Sequence, residues 1–151
     1  GTAVQKRSEN PADGKRKMIG IVLVTHGELA TSFKHAVQHV VGDQEQFATI
    51  CIEADDDMEQ RRRDIVTAIG DVDSGTGVVV VTDMFGGTPS NLAISLMEAG
   101  RIEIIAGANL PMLIKLARMR ETDDMQATID AAAEAGRKYI NVASQLLTTR
   151  G

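Results

Sequence analysis

The sequence predicts a single α/β domain: a parallel sheet of order 2-1-3-4 with helices on both faces. Three observations predict it. First, short apolar runs at 19–24, 47–52, 78–82 and 102–106 alternate with longer amphipathic stretches, the pattern of right-handed crossovers between parallel strands. Second, the run VVVVT at 78–82 is β-branched throughout, as expected of a central strand covered on both faces. Third, two of the runs break at their C-terminal ends into chemically rich loops, Thr25-His26-Gly27 and Asp83-Met84-Phe85-Gly86-Gly87-Thr88-Pro89-Ser90. If the chain winds outward from strand one and then reverses, the switch point lies between strands one and three, and these two loops face each other there. In open α/β sheets that is where ligands bind.

Taken in order, residues 1–17 (GTAVQKRSENPADGKRK) are polar, lack a period and contain Pro11 and Gly14, which predicts a disordered polar tail ahead of a domain over 18–147. The basic KRK before Met18 is a solubilising flank or a contact for an acidic surface. After the strand ending in His26, apolar residues recur at Leu29, Phe33, Ala36, Val37, Val40 and Val41, one face of a helix that Gly42 ends. The run at 47–52 is the second strand. Asp57 then caps a helix with Met58, Ile65 and Ile69 inward and with Arg61 and Asp64 toward solvent.

Residues 73–77 (DSGTG) form a turn cluster. Past the third strand, Thr88 suits an N-cap and Pro89 the first helical position, so a helix is expected from there to Gly100. Residues 102–106 form the fourth strand, and Pro111 opens a short helix through about Met119. Thr122 caps a last helix with Met125, Ile129, Ala132 and Ala133 inward and Gly136 at its end. The partly alternating 139–142 (YINV) is a candidate terminal strand.

Composition narrows the function. The chain has 151 residues, 43% hydrophobic and 25% charged, with only 3% aromatic, so its core must be aliphatic. Net charge is −5, and the first 17 residues are basic, which leaves an acidic body. That argues against nucleic-acid binding, where basic stripes are expected. A single cysteine, Cys51, excludes an internal disulfide and a cysteine-based metal cluster and fits a reducing, cytoplasmic setting. No apolar run approaches the roughly 18 residues of a membrane span, and no signal-peptide pattern begins the chain.

The two facing loops carry the chemistry. His26 can act as general base, metal ligand or nucleophile, or merely end a strand. Asp83 can accept a proton from one ring nitrogen, fixing the tautomer that exposes the other nitrogen's lone pair. An aspartyl phosphate on Asp83 is disfavoured, because the acidic metal ligands such a site needs at the end of strand one are replaced by Thr25 and His26. Gly86 and Gly87 allow backbone N–H groups to converge, and Thr88 adds a hydroxyl at a helix N-terminus, a geometry that favours phosphate. The loop differs from the nucleotide-binding loops with several fixed glycines, so neither a nucleoside triphosphate nor a dinucleotide is indicated.

Histidine, orienting carboxylate and phosphate cradle together describe a phosphohistidine site. Here three stretches, IVLVTHGELA, VVVVTDMFGGTPSNLA and IIAGANLPML, resemble the signatures of the mannose-family (fructose/mannose/sorbose-type) IIA domains of the bacterial phosphoenolpyruvate:sugar phosphotransferase system. The resemblance covers about residues 18–147. It implies that His26 accepts a phosphoryl group from the phosphohistidine of HPr and passes it to a IIB domain. Asp83 would be its orienting partner and Gly86, Gly87 and Thr88 the phosphoryl-binding loop, with no cofactor or metal. It also implies a homodimer joined by a swapped antiparallel strand, for which 139–142 is the candidate, peripheral at most to a membrane IIC/IID complex.

Phe85, an aromatic in a polar loop, is a candidate docking contact for the partner proteins, or else folds back on the sheet edge. Two other functions stay open: the phosphoryl-transfer subunit of dihydroxyacetone kinase, and a regulatory module read through its phosphorylation state. Outside the loops, His35 and His39 are spaced for a shared metal but face away from the apolar stripe and lack a third ligand. Cys51 reads as a small core residue, Asp55 to Asp57 as a capping segment, and Arg61 to Arg63 as a solvated helix face.

Overall fold

Apolar, β-branched sequence builds the centre of the molecule. In the computed structural model, which describes residues 9–10 and 15–150, four parallel strands form one sheet: β3 (Gly20–His26), β4 (Phe47–Ile52), β5 (Val78–Thr82) and β6 (Ile102–Ala106). Their order across the sheet is β4-β3-β5-β6. Counted by sequence among these four, that is the expected 2-1-3-4. The register runs from Ile21 opposite Phe47 to His26 opposite Ile52 on one side of β3, and from Gly20 opposite Val78 to Val24 opposite Thr82 on the other.

Strand side chains alternate between two aliphatic layers, because successive residues of a strand point to opposite faces. Ile21, Leu23, Val79 and Val81 pack with Ala30 and Val37 of α1 (Leu29–Val41), Met112, Leu113 and Leu116 of α4 (Leu110–Met119) and Ala132 of α5 (Met125–Lys138). Val22, Val24, Val78 and Val80 pack with Ile65, Ala68, Ile69 and Val72 of α2 (Met58–Val72) and Ala93 of α3 (Thr88–Ile94). Each fully buried side chain of this size contributes about 1.5–3 kcal/mol of transfer free energy. The two layers together fix which strand ends face which loops. Within α1 the buried stripe is narrower than the apolar pattern, since Leu29 and Val40 are exposed.

Helix starts follow local capping. Asp57 accepts from the N–H groups of Glu59 and Gln60, and Asn109 accepts from Met112. For α5 the cap is Asp124, which accepts from Ala127; Thr122 instead accepts from Asp124 N–H just outside the helix. Arg61 and Asp64 are not simply solvated but pair with each other at 2.9 Å.

Four further expectations about the elements need correction. The tail is not uniformly without structure: β1 (Glu9–Asn10) pairs antiparallel with β2 (Lys15–Arg16), Lys15 Nζ donates to the carbonyls of Gly70 and Asp73 at the end of α2, and Arg16 pairs with Glu121. The rest of that expectation, at 1–8 and 11–14, lies outside the described residues.

Helix α3 stops at Ile94 rather than Gly100. Ser95 Oγ donates back to Leu92 O, and tighter bonds from Leu96 to Ala93 and Met97 to Ile94 close the turn. Gly136 does not end α5; it lies buried within it. A Cβ there would come within 3.2 Å of Met112, so the glycine lets α4 and α5 approach closely, and its carbonyl accepts from Asn109 Nδ2. Finally, residues 139–142 form no strand in this chain; they are an exposed link to α6 (Ala143–Arg150).

Candidate functional site

His26 ends β3 because the chain turns sharply behind it. Gly27 adopts φ +54° and donates its N–H to Ile52 O, and the buried Thr25 hydroxyl accepts from Ala30 N–H at 2.8 Å, standing in for the side-chain cap that α1 otherwise lacks. The imidazole is left 49% exposed at the C-terminal edge of the sheet. Asp83 follows β5 on the adjacent strand and is mostly buried, so the expected switch-point juxtaposition of the two loops is present.

One carboxylate oxygen carries the contact. Asp83 Oδ2 accepts from His26 Nδ1 at 2.9 Å and from His26 N–H at 3.0 Å, while Oδ1 accepts from Met84 N–H at 3.0 Å. Burial works to raise the Asp83 pKa, but the bonds from the His26 amide and ring and the attraction of the ring outweigh it and hold the group below its ordinary value. Asp83 is therefore an anion at neutral pH and can only accept. Nδ1 therefore bears a proton, and in the neutral imidazole this tautomer leaves the lone pair on Nε2.

Gly87 closes the other side of the ring. A Cβ at this position would lie 2.8 Å from both His26 Cε1 and Nε2, so the backbone approaches that edge of the ring as only glycine can. Gly86 turns the chain at φ +94°. Gly87, not Thr88, is the N-cap of α3, which places Thr88 at the first helical position with its side chain exposed. Met84 and Phe85 are each 56% exposed beside the site; Phe85 does not fold back onto the sheet edge.

The convergent cradle differs from expectation. The N–H groups of Gly86 and Gly87 do not open toward His26 but point to Ser90 Oγ, at 3.1 and 3.4 Å. Ser90 was not singled out from sequence; its signal was a hydroxyl three residues after the N-cap. Away from the site, His35 and His39 lie exposed on α1, and Cys51 packs half-buried against the core with Sγ 3.4 Å from Thr31 Oγ1. Asp56 accepts from Glu53 N–H and Asp57 caps α2, so two of the three acidic residues serve the backbone.

A free Nε2 on a carboxylate-oriented imidazole at a helix N-terminus can take and release a phosphoryl group. Comparison with known proteins gives the family. The family described as "PTS system fructose IIA component" matches residues 20–133. The chain belongs to this family.

Among relatives of this IIA chain, the sorbose-specific EIIA component of Lacticaseibacillus casei is 26% identical over 130 residues, 85% of this chain and 94% of that protein. The mannose-specific EIIAB component of Escherichia coli (strain K12) is 29% identical over 124 residues, 81% of this chain. The matched part is 38% of that protein's length. A crystal structure of a phosphotransferase system EIIA component from Streptococcus agalactiae superimposes with a TM-score of 0.77 at 24% identity, over 85% of this chain and 99% of the other, and shows the shared fold. Components of this family are phosphocarriers of the sugar phosphotransferase system. Among the described residues, no helix is long and apolar enough to cross a membrane.

Proposed function

We propose that His26 is the phosphorylated residue of this IIA component, taking the phosphoryl group from the phosphohistidine of HPr and delivering it to a IIB domain. The observation that carries this reading is the single Asp83 oxygen that holds both the His26 amide and Nδ1, since it leaves Nε2 as nucleophile against Gly87. In the forward step the Nε2–P bond forms as the donor's N–P bond breaks in line, and the Asp83 carboxylate balances positive charge that builds on the imidazole. Little is needed beyond positioning and charge stabilisation. The loop from Gly86 to Thr88 receives the group: Gly87 gives room at Nε2, and the Thr88 hydroxyl and N–H at the start of α3 supply donors for its oxygens.

Exposed Met84 and Phe85 beside the ring suit a docking surface for the protein partners. A homodimer belongs to the same proposal, and the exposed apolar side chains of Tyr139, Ile140, Val142 and Leu147 support it. So does association, at most peripheral, with a membrane IIC/IID complex through the IIB acceptor. Family membership favours this relay over the dihydroxyacetone kinase reading.

The test is direct. With phosphoenolpyruvate, enzyme I and HPr, the intact protein should gain the mass of one phosphoryl group, acid-labile and mapping to His26, and a IIB domain should discharge it. No mass gain would sink the reading, and a phosphoprotein that no IIB domain discharges would turn it toward regulation.

Asp83→Asn tests the orienting role. The amide matches the carboxylate in shape but carries no charge, so the fold should hold while transfer slows on the order of 100-fold. The depressed Asp83 pKa also sets a sign: its contribution to stability is present above the ordinary carboxylate pKa and fades as pH falls through the lower folded value. Acid unfolding of wild type and Asp83→Asn should therefore converge at low pH. Wild-type transfer rates in the variant would remove Asp83 from the mechanism.

A further inference from the structure

Ser90 is fully buried in the first turn of α3, and its hydroxyl is used to capacity. It accepts from the N–H groups of Gly86 and Gly87 and donates to Gly87 O at 3.0 Å, one donor and two acceptor sites being all a hydroxyl has. Gly87 O also accepts the Asn91 N–H that opens the helix. The loop facing His26 is thus tied to α3 at both of its glycines through one side chain. No other side chain among the described residues accepts from those two N–H groups.

We infer that Ser90 is a positioning residue for phosphoryl transfer: it fixes Gly87 against His26 Nε2 and withdraws the Gly86 and Gly87 amides from the set of phosphate donors. This rests on the phosphohistidine reading of His26 and deepens it. Two consequences follow. The space beside Nε2 is set by where the Ser90 hydroxyl pins the Gly87 backbone. Within Gly86 to Thr88, the donors left for the phosphoryl oxygens are those of Thr88, whose exposed side chain makes no hydrogen bond among the described residues. Without the hydroxyl, two amides lose their acceptor, and the loop is free to move away from the ring or to cover it. In either case the geometry at Nε2 is lost while the outer surface of the site is retained.

The test uses Ser90→Ala and Ser90→Cys in the full chain, the second keeping the volume while offering only a weak acceptor. Transfer from phospho-HPr should be about tenfold slower at saturating donor in both variants, with the donor KM within about twofold of wild type. Amide hydrogen exchange at Gly86 and Gly87 should be faster in both. A wild-type rate in either folded variant overturns the inference, and recovery in Ser90→Cys alone would assign the effect to packing.

If wild type itself takes up no phosphoryl group, the reading of His26 has failed. Exchange at the two glycines then decides the role of Ser90 by itself: unchanged protection in the variants overturns it.

Discussion

Gly87→Ala is expected to stop phosphoryl uptake nearly as completely as His26→Ala, and to do so in a folded protein. Gly87 has φ −126° and ψ 176°, extended backbone that alanine adopts without strain. The new methyl would clash with the far end of one side chain, His26 Cε1 and Nε2 at 2.8 Å, and would touch Pro89 Cδ at an ordinary 3.7 Å; the His26 ring is half exposed and can swing aside. The fold therefore loses little. The chemistry loses its geometry: either the methyl covers Nε2, or the ring turns away and gives up its bond to Asp83.

A displacement of about 1 Å at a reacting atom costs on the order of 100-fold, and Gly87→Ala should be slowed at least that much, read as phosphoryl mass against time. His26→Ala should show no gain at all. Asp83 cannot substitute as acceptor, because both of its oxygens are already held by N–H groups, and His35 and His39 sit exposed on α1 with no carboxylate bonded to either ring among the described residues. Full uptake by His26→Ala would move the phosphorylated residue elsewhere. A wild-type rate in Gly87→Ala would show that Nε2 is not the reacting nitrogen.

Much of this site was legible in sequence because it follows from strand order. Apolar β-branched runs fix the strands, and the winding of right-handed crossovers brings the ends of β3 and β5 together; His26 and Asp83 come with them. What was not legible is which acceptor each N–H finds. Gly86 and Gly87 suggested amides aimed at a ligand, but whether they face outward or toward Ser90 is decided by the first turn of α3, one residue out of the expected capping register. Gly136 misled for a similar reason: a glycine in a helix reads as its end unless a second helix is known to press on it. Lys15 and Arg120 look like surface charges, yet their donors go to carbonyls that only the tertiary fold supplies.

Arg120 yields the largest expected loss of stability. It is 2% exposed, at the C-cap of α4, and its guanidinium donates to Gln46 O at 2.8 Å, Gln44 Oε1 at 3.1 Å, Ile19 O at 3.4 Å and Glu45 O. Its own carbonyl accepts from Ile19 N–H. One side chain thus ties the start of β3 to the loop that leads into β4.

Burial lowers its pKa to about 10, with Glu121 raising it, Arg16 lowering it and Glu45 raising it, so it remains charged at neutral pH. A folded pKa below the ordinary value means that the charge itself opposes folding at neutral pH, an opposition relieved only above about pH 10. The stabilisation comes from the hydrogen bonds.

Arg120→Met keeps most of the volume but takes the guanidinium donor from Ile19 O, Glu45 O and Gln44 Oε1, while Gln46 O keeps the Ile21 N–H; each acceptor left without a donor costs about 1–3 kcal/mol, partly offset by removing the buried charge. The net loss should be about 3 kcal/mol in urea unfolding, or roughly 10 °C in Tm. Arg120→Lys should recover only part of it, since an ammonium cannot fork across several carbonyls. Because Arg120 lies at the opposite end of β3 from His26, phosphoryl transfer per folded molecule should stay at the wild-type rate. A stability change within about 1 kcal/mol would mean that water replaces the guanidinium without cost. A slowed transfer in the folded variant would mean that the two ends of β3 are coupled.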